Sequence, residues 1–464
     1  MQSHAQLARD ATMLCHRPSA MGVVVAILAA AGLSAPALAQ PCTPVSTNAG
    51  AELVATLAPI PVVRAIIEFD PDGPGPLQRD LFIAGAFSFA SDPSVSGLAR
   101  WDGFGLRSAG TSLGAGVAGA SYIECMCVGP DIAGAGDRQA LYIGGVFQSV
   151  SGIPAKLIAK WDGENWTSIG SLAGNQVGQI TFHDFDGAGP QPPRLVVGGG
   201  LQLARMLYWD GSAWLPVAGY PGSTPKSLIS FDPDGVGPAL PQLHVKDDGV
   251  VAGSNFTWMY DGANWSTIPT PSVHAKLDKV DPDGSGPEGL QLFLASRASQ
   301  LGGIWKYEGV HGWQFFGMSA DTPVEIFCSI DLDGAGPMPA RLLAGSAHLN
   351  APNGLFELTD GAWRLAFASH GRLYASGTFD EDGAGPREPA FFLAGQLDTV
   401  DGVPVNSIAR YGCPFNMPRC YGDADGSGMV EFNDVSLVIA RWGSRDQPGD
   451  IDRDGVVGMN DIVA

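Results

Sequence analysis

The sequence predicts an all-β fold, a seven-bladed β-propeller of four-stranded antiparallel blades, on three observations. An acidic, glycine-rich stretch recurs along the chain: FDPDGPGP from Phe69, FDPDGVGP from Phe231, VDPDGSGP from Val280, IDLDGAGP from Ile330 and FDEDGAGP from Phe379. Looser copies are DFDGAGP from Asp184 and PDIAGAG from Pro130. Aligning the glycine after the second acidic position gives spacings of 61, 53, 48, 49, 50 and 49 residues, a supersecondary period. The third observation is the order of short β-rich runs around each copy, which is the same from unit to unit.

Each unit reads as follows. An apolar run such as AIIEF (Ala65 to Phe69) or SLISF (Ser227 to Phe231) precedes the acidic stretch and forms the first strand. A second run follows it, as LFIAGAF, LYIGGVF, LVVGGG, LLAGSA or FFLAGQL. The third ends in an aromatic-Asp-Gly turn, as in GLARWDG, KLIAKWDG, MLYWDG and WMYDG. A tryptophan then opens the fourth strand, at Trp166, Trp214, Trp265, Trp313 and Trp363. The seventh copy, FFLAGQLDTVDGVPVNSIARYGCP, stops after its third strand. ELVATLA, Glu52 to Ala58, is expected to supply the missing outer strand, closing the last blade from the N-terminus and removing an open edge.

The acidic stretches join first strand to second, where Asp, Gly and Pro preset the backbone for turning, so they read as tight turns. The competing reading is a calcium loop, but each copy brings two or three carboxylates where calcium takes six to eight oxygens.

Composition bounds the rest. With 45% apolar and 16% charged residues the chain is globular, and 63 glycines with 35 prolines call for many turns. Residues 1 to 39 read as a signal peptide: Arg9 and Arg17, the apolar run GVVVAILAAAGLSA, then Ala37-Leu38-Ala39, with cleavage expected after Ala39. Secretion or display at the cell surface follows, with no membrane span after cleavage. The net charge of −21 excludes a nucleic-acid partner, since phosphate contact needs basic surface. Of the cysteines beyond the signal, Cys42 pairs with Cys413, or Cys413 with Cys420. Cys125 and Cys127 face one way on a strand and read as core.

After a linker, residues 414 to 422, the pattern changes. DADGSGMVEFND (Asp423 to Asp434) and DIDRDGVVGMND (Asp450 to Asp461) are twelve-residue EF-hand-type calcium loops: alternate side chains turn to the ion, and a glycine at position six allows the bend. The expected Ca2+ ligands are Asp423, Asp425, Ser427, the Met429 carbonyl and Asp434, then Asp450, Asp452, Asp454, the Val456 carbonyl and Asp461.

Two resemblances carry these patterns further. The Gly-Gly pair, the Trp-Asp-Gly turn and the following Trp resemble kelch-like repeats of large secreted bacterial proteins, over roughly Glu52 to Cys413. The tail, with Asp at loop position twelve and VSLVIARWG behind the first loop, resembles a type I dockerin over residues 423–464, its second helix truncated at Ala464. That likeness implies a small α-helical module that docks into a cohesin-like protein on calcium. Phe432-Asn433 and Met459-Asn460 stand where dockerins present Ser or Thr.

No HExxH, GxSxG, P-loop or CxxC pair occurs, and the GxGxxG match at Gly114 to Gly119 leads into strand-like SYIECMC. The histidines His183, His244, His274, His311, His348 and His370 are expected in turns or solvent. No catalytic or cofactor-binding residue is assigned. The expected function is a non-catalytic propeller that binds a protein or glycan. The alternative is a polysaccharide hydrolase or lyase with its carboxylates in the central funnel.

Overall fold

A computed structural model describes residues 45–442 except short connecting segments, chiefly 57–59, 71–78, 115–120, 133–137, 234–239, 250–254, 284–288, 298–301, 319–322, 331–339, 347–353, 382–388 and 413–431. The signal segment, Cys42, Cys413, Cys420 and the tail calcium ligands lie outside the described residues. Asp434 is the exception: its backbone belongs to the helix Phe432–Ala440. Contacts divide the chain into one unit of Cys42–Glu381 with Glu388–Pro414, and a second holding the remainder.

The first unit is built of antiparallel sheets in which successive strands pair with their sequence neighbours. Four of them are four-stranded: Tyr122–Pro130 through Trp166–Ser168, Gly174–His183 through Trp214–Pro216, Pro225–Phe231 through Trp265–Pro269, and Ala275–Val280 through Trp313–Gly317. A fifth begins at Val62–Phe69 and carries an added short strand, Leu53–Ala55. The remaining large sheet is eight-stranded, because Ala362–Phe379 runs on from the edge of one four-strand set into the start of the next. The first strand of each set lies beside the first strand of the following set, and Ala362–Phe379 lies beside Val62–Phe69.

Closure from the N-terminal side takes place, but a different segment makes it. Val45–Asn48 pairs antiparallel with Ile408–Gly412, whereas Leu53–Ala55 pairs with Phe87–Phe89. The reason is strand length. Asp80–Phe89 outruns its partner, which ends its pairing at Val62↔Ala86, and the exposed edge beyond is taken by the apolar Leu53. Gly50 makes the turn between the two short strands; a Cβ there would collide with the Asn406 carbonyl.

The aromatic turns behave as the repeat suggests. Trp161 stands opposite Trp166, Trp209 opposite Trp214, Tyr260 opposite Trp265 and Tyr307 opposite Trp313. Two of these tryptophans tie neighbouring sheets, Trp214 Nε1 donating to the Ile169 carbonyl at 2.7 Å and Trp265 Nε1 to the Ala218 carbonyl at 2.9 Å. The turn aspartates serve the backbone. Asp162 Oδ1 accepts the amides of Glu164 and Asn165, and Asp210 and Asp261 do the same for their own turns.

The acidic stretches, where described, act alike: Asp184 Oδ1 accepts the amides of Asp186 and Gly187, and Asp281 Oδ1 that of Asp283. Two of their acidic groups are also sunk in ion pairs, Asp131 with Lys160 and Glu381 with Arg410. Glu381 Oε1 takes a further hydrogen bond from Trp101 Nε1 at 2.9 Å.

Candidate funnel site

The site begins with a backbone irregularity. A first strand that stays in register points alternate side chains at fixed faces; one extra residue in a β-bulge breaks that alternation and re-aims a side chain. Such a bulge falls at one position in most first strands, between Val63 and Ala65, Ile123 and Cys125, Val177 and Gln179, Pro225 and Ser227, Val324 and Ile326, and Leu373 and Ala375. The residues so presented are Arg64, Glu124, Gly178, Lys226, Glu325 and Tyr374. Lys276 holds the matching place in Ala275–Val280, which has no bulge.

The glycines of the second strands lie opposite these bulges. A Cβ at Gly85 would collide with the Val62 carbonyl, and one at Gly145 with that of Tyr122. Glycine is not required for the bulge: Asp247 and Lys246 stand opposite the Pro225–Ser227 bulge, and Ser346 and Gly345 opposite the Val324–Ile326 bulge. The unbulged Ala275–Val280 has Ser296 opposite its first residue.

Arg64, Glu124, Gly178, Lys226, Lys276 and Tyr374 all line one cavity of about 460 Å³. It opens among the starts of the first strands, the end opposite the acidic turns. A smaller cavity of about 240 Å³ shares Arg64, Lys276 and Tyr374 and reaches Asp278 and Cys328.

Charges here are mostly matched. Arg64 pairs with Glu124 at 3.2 Å, Lys276 with Asp278 at 3.0 Å, and Arg297 with Glu325 at 2.8 Å. The Arg64 guanidinium also lies over the Tyr122 ring at 5.0 Å, a cation–π contact. Burial lifts the Glu124 carboxyl above its ordinary range, against the pull of Arg64 and Lys226. Asp278 is lifted by the same cause against Lys276.

The other expected residues are dispersed. Cys125 and Cys127 pack against one hydrophobic cluster, with Cys328 in another, and all three are free thiols. His183 and His244 correct the expectation of turn or solvent positions: both are fully buried. His183 Nδ1 lies 2.9 Å from Ser230 Oγ, and His244 Nε2 lies 3.1 Å from Gln242 Oε1. The His183 ring meets Phe185, and the His244 ring Tyr307, edge to face, so each imidazole fills an aromatic-lined place in the core. His274 lines the larger cavity, and His370 pairs with Asp398 on the surface at 2.8 Å. No group of three or more metal-ligating side chains occurs among the described residues.

Sequence reasoning missed the bulge residues. A signal was present: a charged or polar residue near the start of each apolar first strand, as in VVRAIIEF, YIECMC and VEIFCSI.

The fold and site define a nearly all-β protein of propeller-like, four-stranded antiparallel sheets around a polar cavity. No protein-family model matches the chain, and no curated protein matches it. Among solved structures it is similar to BBS1N in complex with ARL6DN, in crystals soaked with lead (12% identity, 80% of this chain and 97% of that one, TM-score 0.44). The mercury-soaked form gives 11% identity, 76% and 93% coverage and a TM-score of 0.43. Sqt1 of Saccharomyces cerevisiae gives 11% identity, 76% and 97% coverage and 0.40. The fold rests on the strand pairing. No helix among the described residues is long and apolar enough to cross a membrane.

Proposed function

We propose that this chain is a secreted, seven-bladed β-propeller of kelch-like repeats that binds a protein or glycan without catalysis. Its dockerin-like tail attaches it to a cohesin-like partner through Ca2+. The seven-blade reading takes the eight-stranded sheet as two blades joined by the long strand Ala362–Phe379, with Val45–Asn48 as the outer strand of the last. The cyclic order of neighbouring first strands supports it.

One observation carries the binding function: the funnel presents charged and polar side chains from most blades, and Glu124, Asp278 and Glu325 are held by cations rather than poised in a free acid–base pair, while Asp247 accepts from the Ser223 amide and Trp258 Nε1. The enzyme reading keeps a foothold in Glu124 and Asp278, two funnel carboxyls that burial lifts above their ordinary range. Release of new reducing or unsaturated ends from polysaccharide, lost in Glu124→Gln or Asp278→Asn, would put that reading first.

The calcium module is tested by calorimetric titration of the mature chain beside one ending at Pro414. One or two sites that vanish on truncation support the docking tail and the turn reading of the acidic stretches. Sites that survive truncation would instead place calcium on the propeller's acidic loops.

A further inference from the structure

The funnel mouth has one side built to receive something. Gly178 occupies the bulge position that holds Glu124 in the preceding sheet and Lys226 in the following one. Nothing in the fold demands a glycine there: φ is not positive, and a Cβ would meet nothing nearer than the Gly198 carbonyl at 3.8 Å. Gly200, on the adjacent strand and lining the same cavity, is equally open, its nearest neighbour the Asn175 Cβ at 3.9 Å. Two glycines without a backbone reason leave a notch in a wall that elsewhere projects long side chains.

The charges beside the notch narrow the ligand. Of the four cations lining the cavity, Arg64, Lys276 and Arg297 already have carboxylate partners. Lys226 has no ion-pair partner within 4 Å among the described residues; Glu124 feels its charge, and Asp247, which lines the cavity with Asp248, is taken up by the Ser223 amide and Trp258 Nε1. A small polyanion needs several converging free cations; one free ammonium suits one negative charge. Around it Gln176, Gln179, Thr224 and His274 offer neutral donors and acceptors, and Tyr374 an aromatic face. A cavity of about 460 Å³ admits one or two sugar rings.

We propose that the funnel mouth is a binding site for an acidic saccharide, its carboxylate received by Lys226 and its ring seated in the notch over Gly178 and Gly200. Hydroxyls fall to the glutamines and to the paired carboxylates, which accept hydrogen bonds while keeping their cations. This rests on the binding reading above and names its ligand class.

The test is an array of acidic and neutral oligosaccharides, followed by titration of the full chain with the tightest acidic one and with its carboxyl-reduced form. Expected are binding of uronate-containing sugars, a loss of at least tenfold on carboxyl reduction, a similar loss in Lys226→Met with recovery in Lys226→Arg, and loss of binding in Gly178→Tyr with unchanged melting. Gly200→Gln is the second blocking variant should Gly178→Tyr disturb folding. No acidic sugar binding, or binding indifferent to Lys226→Met and to both blocking variants, overturns the proposal. Neutral sugars bound as well as acidic ones and excluded by Gly178→Tyr would overturn the acidic class while leaving the binding module standing. Inorganic phosphate or sulfate competing as strongly as the uronate sugar would show a bare anion site and refute the saccharide.

Discussion

Substituting Glu381 by alanine removes more from this protein than a surface carboxylate would. Both Glu381 and Arg410 keep only 3% of their side-chain surface exposed, and Arg410 reaches the carboxylate with two nitrogens, Nε at 2.6 Å. With Glu381 gone, a buried guanidinium loses its two-nitrogen carboxylate partner, a loss of about 3–5 kcal/mol. Trp101 Nε1 also loses its acceptor, in a tryptophan 6% exposed, which adds about 1–3 kcal/mol where the N–H is left orphaned. The two losses overlap, since water or a shifted side chain serves both, so about 4–6 kcal/mol is expected from a molecule whose total stability is of order 5–15 kcal/mol. The assay is the urea midpoint at constant m-value. The double variant Glu381→Leu with Arg410→Met removes both charges and should recover most of that loss, because well-packed apolar replacements of buried pairs are close to neutral. A loss below about 1 kcal/mol for Glu381→Ala, or a double variant no better than the single, would refute the argument that burial makes this pair costly to break.

Acid should destabilise the protein through two histidines. Burial lowers His183 to about 4 and His244 to about 3, while in the unfolded chain both titrate near 6.5, so the unfolded state binds more protons as pH falls. Stability is therefore full above about pH 6.5 and falls by about 1.4 kcal/mol per pH unit for each histidine down to those lowered values; urea midpoints from pH 7 to 4 check it, and His244→Gln should flatten the slope. Burial also pushes the thiols of Cys127 and Cys328 up to about 11, so Ellman's reagent should leave both unreacted in the native state and titrate them once urea unfolds the chain. Trp214→Phe keeps the ring but deletes the 2.7 Å bond to the Ile169 carbonyl, at a cost of about 1 kcal/mol by thermal melting.

Strands, turns and the tryptophan-led edges were legible in the sequence because each obeys a local rule. Trp166, Trp214 and Trp265 open their strands where an Asp-Gly turn must end, and Trp313 does so after Glu308-Gly309; Asp162, Asp210 and Asp261 cap their turns through their own side chains. The closing strand was misassigned because two short segments, Val45–Asn48 and Leu53–Ala55, compete for two edges some 320 residues apart in sequence. Which edge each takes depends on how far Asp80–Phe89 overhangs, a tertiary length that no local pattern states. The funnel side chains were hidden for a related reason. A bulge is a mismatch between two strands, so the residue it presents is visible only after both are aligned. The buried histidines depended on partners such as Ser230 and Gln242 that only folding brings near.

The pairing of Val45–Asn48 with Ile408–Gly412 also bears on the order of events during synthesis. Thr47 reaches the Arg410 carbonyl across 363 residues, so Val45–Asn48 has no edge to join until Ile408–Gly412 has been made. Until then the last edge stays open and the first strand stays loose, and the entropy of bringing them together is met only at the final step. A chain interrupted before Ile408–Gly412 is thereby left with a sticky flank that the paired strand would seal, which makes synthesis of that one strand the event that protects the fold from self-association.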